Sequence, residues 1–316
     1  MTTKKKICVL IPAYNEEQVL PKLYDRLAKL AASLPAYNFE YLFVNDGSSD
    51  RTMELIVQYA KSDSRVSYIN LSRNFGKEIA MIAGLDNAVC NALVIIDADL
   101  QDPPELIPEM IHFWEKGYDD VYARRTSRAG ESWLKKSTSS IFYKLLQKST
   151  RVTIQQDTGD FRLLDKRCVD ALISMRESQR YTKGMFSWIG YRKKEITYER
   201  DARAAGEGKW NYARLIDLAI EGITSFTTLP LRFSSILGMT ISFLSFVYII
   251  FIVIRTWLYG NDVAGYSSLM AVMLFLGGVQ LLSLGIIGEY VGRIFNESKN
   301  RPLYFIEDIY HGPDTE

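Results

Sequence analysis

Apolar and polar positions change in regular blocks over the first hundred residues. Ile7–Ile11 is an uninterrupted apolar run, which predicts a strand buried on both faces. From Glu17 to Leu34 the period lengthens, and Val19, Leu20, Leu23, Leu27 and Leu30 fall on one face of a helix. The alternation repeats with strands at Tyr41–Val44, Val66–Leu71 and Ala92–Ile96 and helices at Thr52–Lys61 and Gly76–Ala88. Strands and helices taking turns at this spacing predict an α/β fold with a mostly parallel sheet covered on both faces. Beyond residue 100 the pattern loosens. Helices are expected at Pro104–Lys116 and Cys168–Met175, and strands at Asp120–Ala123, after Thr158-Gly159 and at Lys193–Arg200.

A different pattern takes over toward the end. Ile236 to Ile254 and Tyr266 to Gly288 each lack a charged side chain. At 1.5 Å per residue either run can cross a hydrocarbon core of roughly 30 Å. The short connection Gly260–Gly265 makes them a hairpin. Arg232 precedes the first run, and Arg293, Lys299 and Arg301 follow the second, which puts both ends in the cytoplasm. Arg255 is the exception and can snorkel. Gly277, Gly278, Gly285, Gly288 and Gly292 offer a small-residue face for close helix contact. Two amphipathic helices, the basic Trp133–Leu146 and Leu215–Phe226, suit the membrane surface. The expected organisation is a cytosolic domain over 1–230, a two-span hairpin over 231–295 and a cytosolic tail over 296–316.

Charge changes the picture little. Lys and Arg number 38 against 37 Asp and Glu, so no basic field argues for nucleic acid. Cys8, Cys90 and Cys168 are far apart in apolar settings and read as reduced core thiols. Met1–Lys6 leads straight into the first strand without a long apolar run, so no signal peptide is expected.

The chemistry gathers at strand ends. Pro12-Ala13-Tyr14-Asn15-Glu16-Glu17 follows the first strand, Asn45-Asp46-Gly47-Ser48 the second, and Asp97-Ala98-Asp99-Leu100-Gln101-Asp102 the fourth. Parallel strands present these ends on one edge, where open α/β sheets bind ligands. Neither G-x-G-x-x-G after the first strand nor a P-loop occurs, which disfavours a dinucleotide or P-loop fold. Carboxylates such as Asp97 and Asp99 suit a hard cation, Mg2+ or Mn2+, and such a cation suits a diphosphate. Arg124, Arg125 and Arg128 could neutralise a leaving diphosphate or hold an acceptor phosphate. Asp160, after Gly159 and before a strand, is either a general base or an orienting group.

Together Pro12–Glu16, Asn45–Ser48, Asp97–Pro104 and Thr158-Gly159-Asp160-Phe161-Arg162 resemble the inverting family 2 glycosyltransferases with a nucleotide-diphospho-sugar-binding (GT-A type) domain. Within them the whole chain is similar to the polyisoprenyl-phosphate glycosyltransferases, including the hairpin and Glu289-Tyr290-Val291-Gly292-Arg293. The resemblance implies transfer of one hexose, glucose or N-acetylglucosamine, from a UDP-sugar to undecaprenyl phosphate at the cytoplasmic face. Another lipid or glycan acceptor, or GDP-mannose as donor, is the alternative. It also implies that Pro12, Ala13, Tyr14 and Glu16 contact the nucleoside and that Asp46 reads base and ribose. Asp97, Asp99 and Gln101 fall at the metal and diphosphate site, Asp160 at the catalytic aspartate, and Lys209, within Gly208-Lys209-Trp210, near the acceptor phosphate. The Q-x-x-R-W signature of processive synthases is absent, since Gln179-Arg180-Tyr181 lacks the spacing. A two-helix anchor is thin, and a homo-oligomer is expected.

Overall fold

Strands without a polar face set the architecture. β1 (Lys6–Ala13), β2 (Asn38–Asn45), β3 (Val66–Leu71) and β4 (Ala92–Ile95) pair in parallel in the order β4-β1-β2-β3. Ile7–Ile11 and Leu93–Ile95 have no exposed surface, so the sheet needs helices on both sides. The structure is a computed structural model that describes residues 4–126, 158–177, 182–198, 229–259 and 265–312.

Strand alternation sorts the two helical layers. Ile7, Val9 and Ile11 meet α1 (Leu20–Ser33), α2 (Thr52–Ser62) and α4 (Ile107–Glu115). Cys8 and Leu10 meet α3 (Lys77–Asn87), α5 (Lys166–Ser174) and α6 (Thr182–Trp188). On α1 the stripe Leu20, Leu23, Leu27 and Leu30 is buried, each side chain contributing about 1.5–3 kcal/mol. α1 begins at Leu20, three residues later than its sequence pattern predicts, because Pro21 in its first turn has no N–H to donate back to Glu17, so the stretch before it closes only as a turn on the Glu16 carbonyl.

The sheet continues past β4 with β6 (Thr158–Asp165), β5 (Asp120–Arg125) and β7 (Lys193–Tyr198). β6 runs antiparallel to both β4 and β5, while β5 and β7 are parallel. The reversal matters for the site. Ile95 pairs with Arg162, so continuing the register by two residues sets 97 opposite 160 at the carboxyl edge. Arg162 itself is fully buried and pairs with the equally buried Asp120 at 3.1 Å, its guanidinium 3.6 Å from the Phe186 ring centre. It braces β5, β6 and α6 from within.

Two long helices, α7 (Leu229–Tyr259) and α8 (Tyr266–Ser298), pack against each other and contain both expected apolar runs. Among the described residues, Phe275–Ser298 is long and apolar enough to cross a membrane, and Phe233–Tyr248 is apolar but shorter. Among the described residues, a Cβ on Gly277, Gly278, Gly285, Gly288 or Gly292 would meet nothing within 4 Å, so the small-residue face lies away from the described α7–α8 contact. The residues after α8 were expected only as a tail. Instead β8 (Ile306–Tyr310) adds to the sheet edge, antiparallel to β3. Tyr310 stacks on Tyr68 at 5.6 Å, and Tyr304 donates to Asp86 at 2.9 Å. The expected surface helices Trp133–Leu146 and Leu215–Phe226 lie outside the described residues.

Candidate active site

The first two strand-end loops are cross-laced. Asn15 is held at φ 55, a left-handed conformation that asparagine tolerates. Its amide donates to Ser48 Oγ at 3.0 Å, and its own Oδ1 accepts from the Ser49 amide at 2.8 Å. The Glu16 amide donates to Thr52 Oγ1 at 2.8 Å, and the Asp46 amide to the Ala13 carbonyl at 3.0 Å. Pro12 and Ala13 end β1 with Ala13 buried, while Tyr14 projects outward at 47% exposure. An open aromatic beside a rigid polar loop is a surface on which a flat base can stack.

Asp46, which the resemblance places at base and ribose, also holds the backbone of a neighbouring loop. Its side chain is buried, and its two oxygens accept from the amides of Phe75 and Gly76 at 2.7 and 2.9 Å. Burial raises its carboxyl against the pull of those amides and of Arg73. Gly47 lets the two loops meet: φ is +66, and a Cβ would stand 2.5 Å from Arg73 C and Asn74 N. Asp46 therefore braces the 72–77 loop, and that loop opens α3 with Lys77.

Sequence reasoning passed over Lys77. Its ammonium lies 2.6 Å from Asp97 Oδ1 and 2.6 Å from Asp160 Oδ2, and it donates to Asp97 Oδ2 at 2.7 Å. Burial would lower it, but the two carboxylates outweigh burial and hold it raised. Burial raises Asp97, with Lys77 opposing and Asp160 reinforcing. A lone lysine after a glycine carries no local signal. Only the antiparallel entry of β6 brings Asp160 to it.

Past Asp97 the chain makes a strained turn. Leu100 has φ 57 with its side chain packed inward, and the Gln101 amide donates to Asp99 Oδ1 at 3.1 Å. A non-glycine residue is kept in this region only where its surroundings over-determine it. The buried Gln101 follows directly. Asp102 accepts from the Tyr198 hydroxyl, whose own titration is pushed up to about 12, chiefly by burial.

The arginines separate by strand alternation. Arg124 pairs with Glu195 at 3.2 Å and is not brought to the acidic cluster. Arg125 turns the other way. It donates to Tyr198 Oη at 3.3 Å, approaches Asp102 at 4.0 Å, and would stand 3.1 Å from a Cβ on Gly159. The arginine beside the site is thus Arg125, which a strand reading offered only as one of three. Arg128 and Lys209 lie outside the described residues.

Among the described residues no three His, Cys, Asp or Glu side chains form a ready metal cage. The donor set still fits a hard cation. Asp97 presents a carboxylate whose buried Oδ1 is already paired with a cation, the Lys77 ammonium at 2.6 Å, and Asp99 supplies a second carboxylate two residues on. Mg2+ and similar ions are commonly held by one or two carboxylates, with substrate phosphates and water completing the shell.

The family model described as Glycosyl transferase family 2 matches residues 8–173, and one described as GtrB C-terminal hairpin matches residues 229–294. A protein of Synechocystis sp. described as an uncharacterized glycosyltransferase is 48% identical over 96% of this chain and 96% of its own length. A prophage-derived bactoprenol glucosyl transferase of Shigella flexneri is 43% identical over 97% of this chain and 99% of its own. Among solved structures, glucosyl-3-phosphoglycerate synthase from Mycobacterium tuberculosis superposes with a TM-score of 0.45 at 17% identity, over 69% of this chain and 76% of that one.

Proposed function

The chain belongs to glycosyl transferase family 2, and from that premise we propose that it transfers a single hexose, glucose first, from a UDP-sugar to undecaprenyl phosphate, with inversion. The observation that carries this reading is the near-full-length identity, hairpin included, to a relative named for bactoprenol glucosyl transfer. The cross-laced loops after β1 and β2 hold the nucleoside, with Tyr14 as its stacking surface and Pro12, Ala13 and Glu16 beside it. A divalent cation on Asp97 and Asp99 would neutralise the diphosphate as it leaves.

An acceptor phosphate monoester is largely dianionic at neutral pH, its second pKa lying near 6. It needs orientation more than deprotonation. Asp160, opposite Asp97, is read as the group that aligns the sugar and the incoming phosphate. One phosphate oxygen forms a bond to the anomeric carbon while the bond from that carbon to the diphosphate oxygen breaks, and UDP departs with the electron pair. Arg125, against Gly159, adds positive charge at the same place. Arg128 and Lys209 are read as further contacts to the acceptor phosphate.

The hairpin anchors the enzyme, with the catalytic domain and the residues after α8 on the cytoplasmic side. β8 supports this, since it returns the chain to the sheet after both long helices. The outward glycine face of α8 supports a homo-oligomer.

The test is purified full-length protein in detergent with undecaprenyl phosphate and, separately, UDP-glucose and UDP-N-acetylglucosamine. Mass analysis of the extracted lipid should show one added hexose as an acidic phosphodiester. Chelation should abolish transfer, and Mn2+ or Mg2+ should restore it. An alkali-stable neutral glycolipid, or turnover unaffected by chelation, would overturn the reading.

A further inference from the structure

Asp97, Asp160 and Lys77 come from three different elements and meet in one place. Asp97 follows β4, Asp160 opens β6, and Lys77 opens α3. The ammonium straddles the Asp97 carboxylate, 2.6 Å from Oδ1 and 2.7 Å from Oδ2, while also reaching Asp160 Oδ2 at 2.6 Å. A lysine ammonium is a compact charge with three donors and no fixed fork. It can leave one carboxylate and stay on another. Two carboxylates facing each other without a cation would repel. The loop bearing Lys77 is held by Asp46 through the Phe75 and Gly76 amides, and a Cβ on Gly47 would collide with it.

We propose that Lys77 is an internal counter-cation of the donor site: it holds Asp97 and Asp160 together before the donor arrives, then yields Asp97 to the divalent cation while keeping Asp160 in position for transfer. The inference rests on reading Asp97 and Asp99 as the cation ligands. Lys77 is a positioning residue in this scheme, and Asp46 acts through it. Lys77 also competes with the metal, so the empty enzyme binds the cation weakly and gains affinity when the donor's diphosphate joins the shell.

The opposing effects on metal binding and turnover make the test. Mn2+ binding to the full-length protein in detergent, without donor, is measured by the electron paramagnetic resonance of free ion. Lys77→Met should bind Mn2+ about tenfold more tightly than the wild type, a modest figure for removing one unit charge about 4 Å from another at a partly exposed site. Its kcat should fall at least tenfold. Lys77→Arg retains the charge and should keep wild-type Mn2+ affinity. A merely structural lysine would instead weaken metal binding and turnover together. Mn2+ affinity unchanged or weaker in Lys77→Met, with an unaltered unfolding midpoint, overturns the proposal. Should that variant fail to fold, Lys77→Gln is read by the same criterion. Asp99→Asn separates this from failure of the underlying reading: it should abolish Mn2+ binding in both backgrounds, and if tight binding persists, the ligand assignment is what fails.

Discussion

The sheet domain and the hairpin are both rich in apolar residues, yet they use them in opposite ways. In β1 and β4 the apolar side chains are buried, whereas large ones such as Phe243 on α7 and Leu281 on α8 are 66% and 72% exposed. The sheet domain carries its stabilising contacts inside itself. The hairpin leaves its apolar surface turned outward, and each of its helices carries an uncharged run long enough to cross a hydrocarbon core. The same substitution should therefore act very differently in the two regions. The largest contrast is at the buried pair of Arg162 and Asp120. Burial raises the Asp120 carboxyl, with Arg162 the chief opposing charge. Asp120→Ala strands a guanidinium with no exposed surface and should destabilise the sheet domain by about 3–5 kcal/mol. Thermal unfolding of the detergent-solubilised protein reads this as a large fall in the domain's midpoint. Phe243→Ala in the same assay should hardly move it. An equal effect of both would break the contrast.

A smaller effect is expected where two loops of the sheet domain touch. Gly47→Ala puts a Cβ 2.5 Å from backbone atoms of Arg73 and Asn74 at a φ of +66, and backbone cannot swing aside as a flexible side chain can. The expected cost is about 1–3 kcal/mol, as for other strained backbone positions. Activity should fall further than stability explains, because the displaced loop carries Lys77. Transfer rates corrected for folded fraction, measured beside the unfolding midpoint, check this. A loss of stability alone would mean that the loop tolerates the shift without moving the ammonium.

How far the residues announced these arrangements follows from what each depends on. β1 to β4 were legible because a strand buried on both faces must be apolar throughout, and the acidic stretch after β4 stood out against that background. Val66–Leu71 matches β3 to the residue. Lys77 was not legible, because its role depends on β6 entering the sheet in reverse. Arg124 and Arg125 were equivalent in the sequence, and only pairing with β6 and β7 decides which of two alternating side chains turns toward Gly159. Asp46 carries the motif's residue type, and its oxygens also accept from backbone amides 29 and 30 positions away, which no local pattern foretells. β8 was hidden for another reason: all five of its residues are exposed, so it lacks the apolar imprint of a core strand.

The smallest effect should appear on the hairpin, and it is informative because it is small. Among the described residues a Cβ on Gly285 meets nothing within 4 Å, so Gly285→Ala neither crowds α7 nor opens a cavity. Within one chain the change should even favour the helix slightly, since alanine is better than glycine there by about 1 kcal/mol. The domain's unfolding midpoint and the transfer rate at saturating acceptor should match the wild type. The same substitution acts differently if the glycine face meets a second copy of the chain, because close helix approach in a bilayer relies on small residues. Gly285→Leu would then dissociate the assembly, while the isolated hairpin still tolerates the side chain. Sedimentation of the two variants in matched detergent separates the cases. Loss of the larger species in Gly285→Leu alone makes this face an interface between copies. Identical sedimentation of both variants and the wild type leaves it facing lipid, and the difference between the two regions of the molecule is then complete.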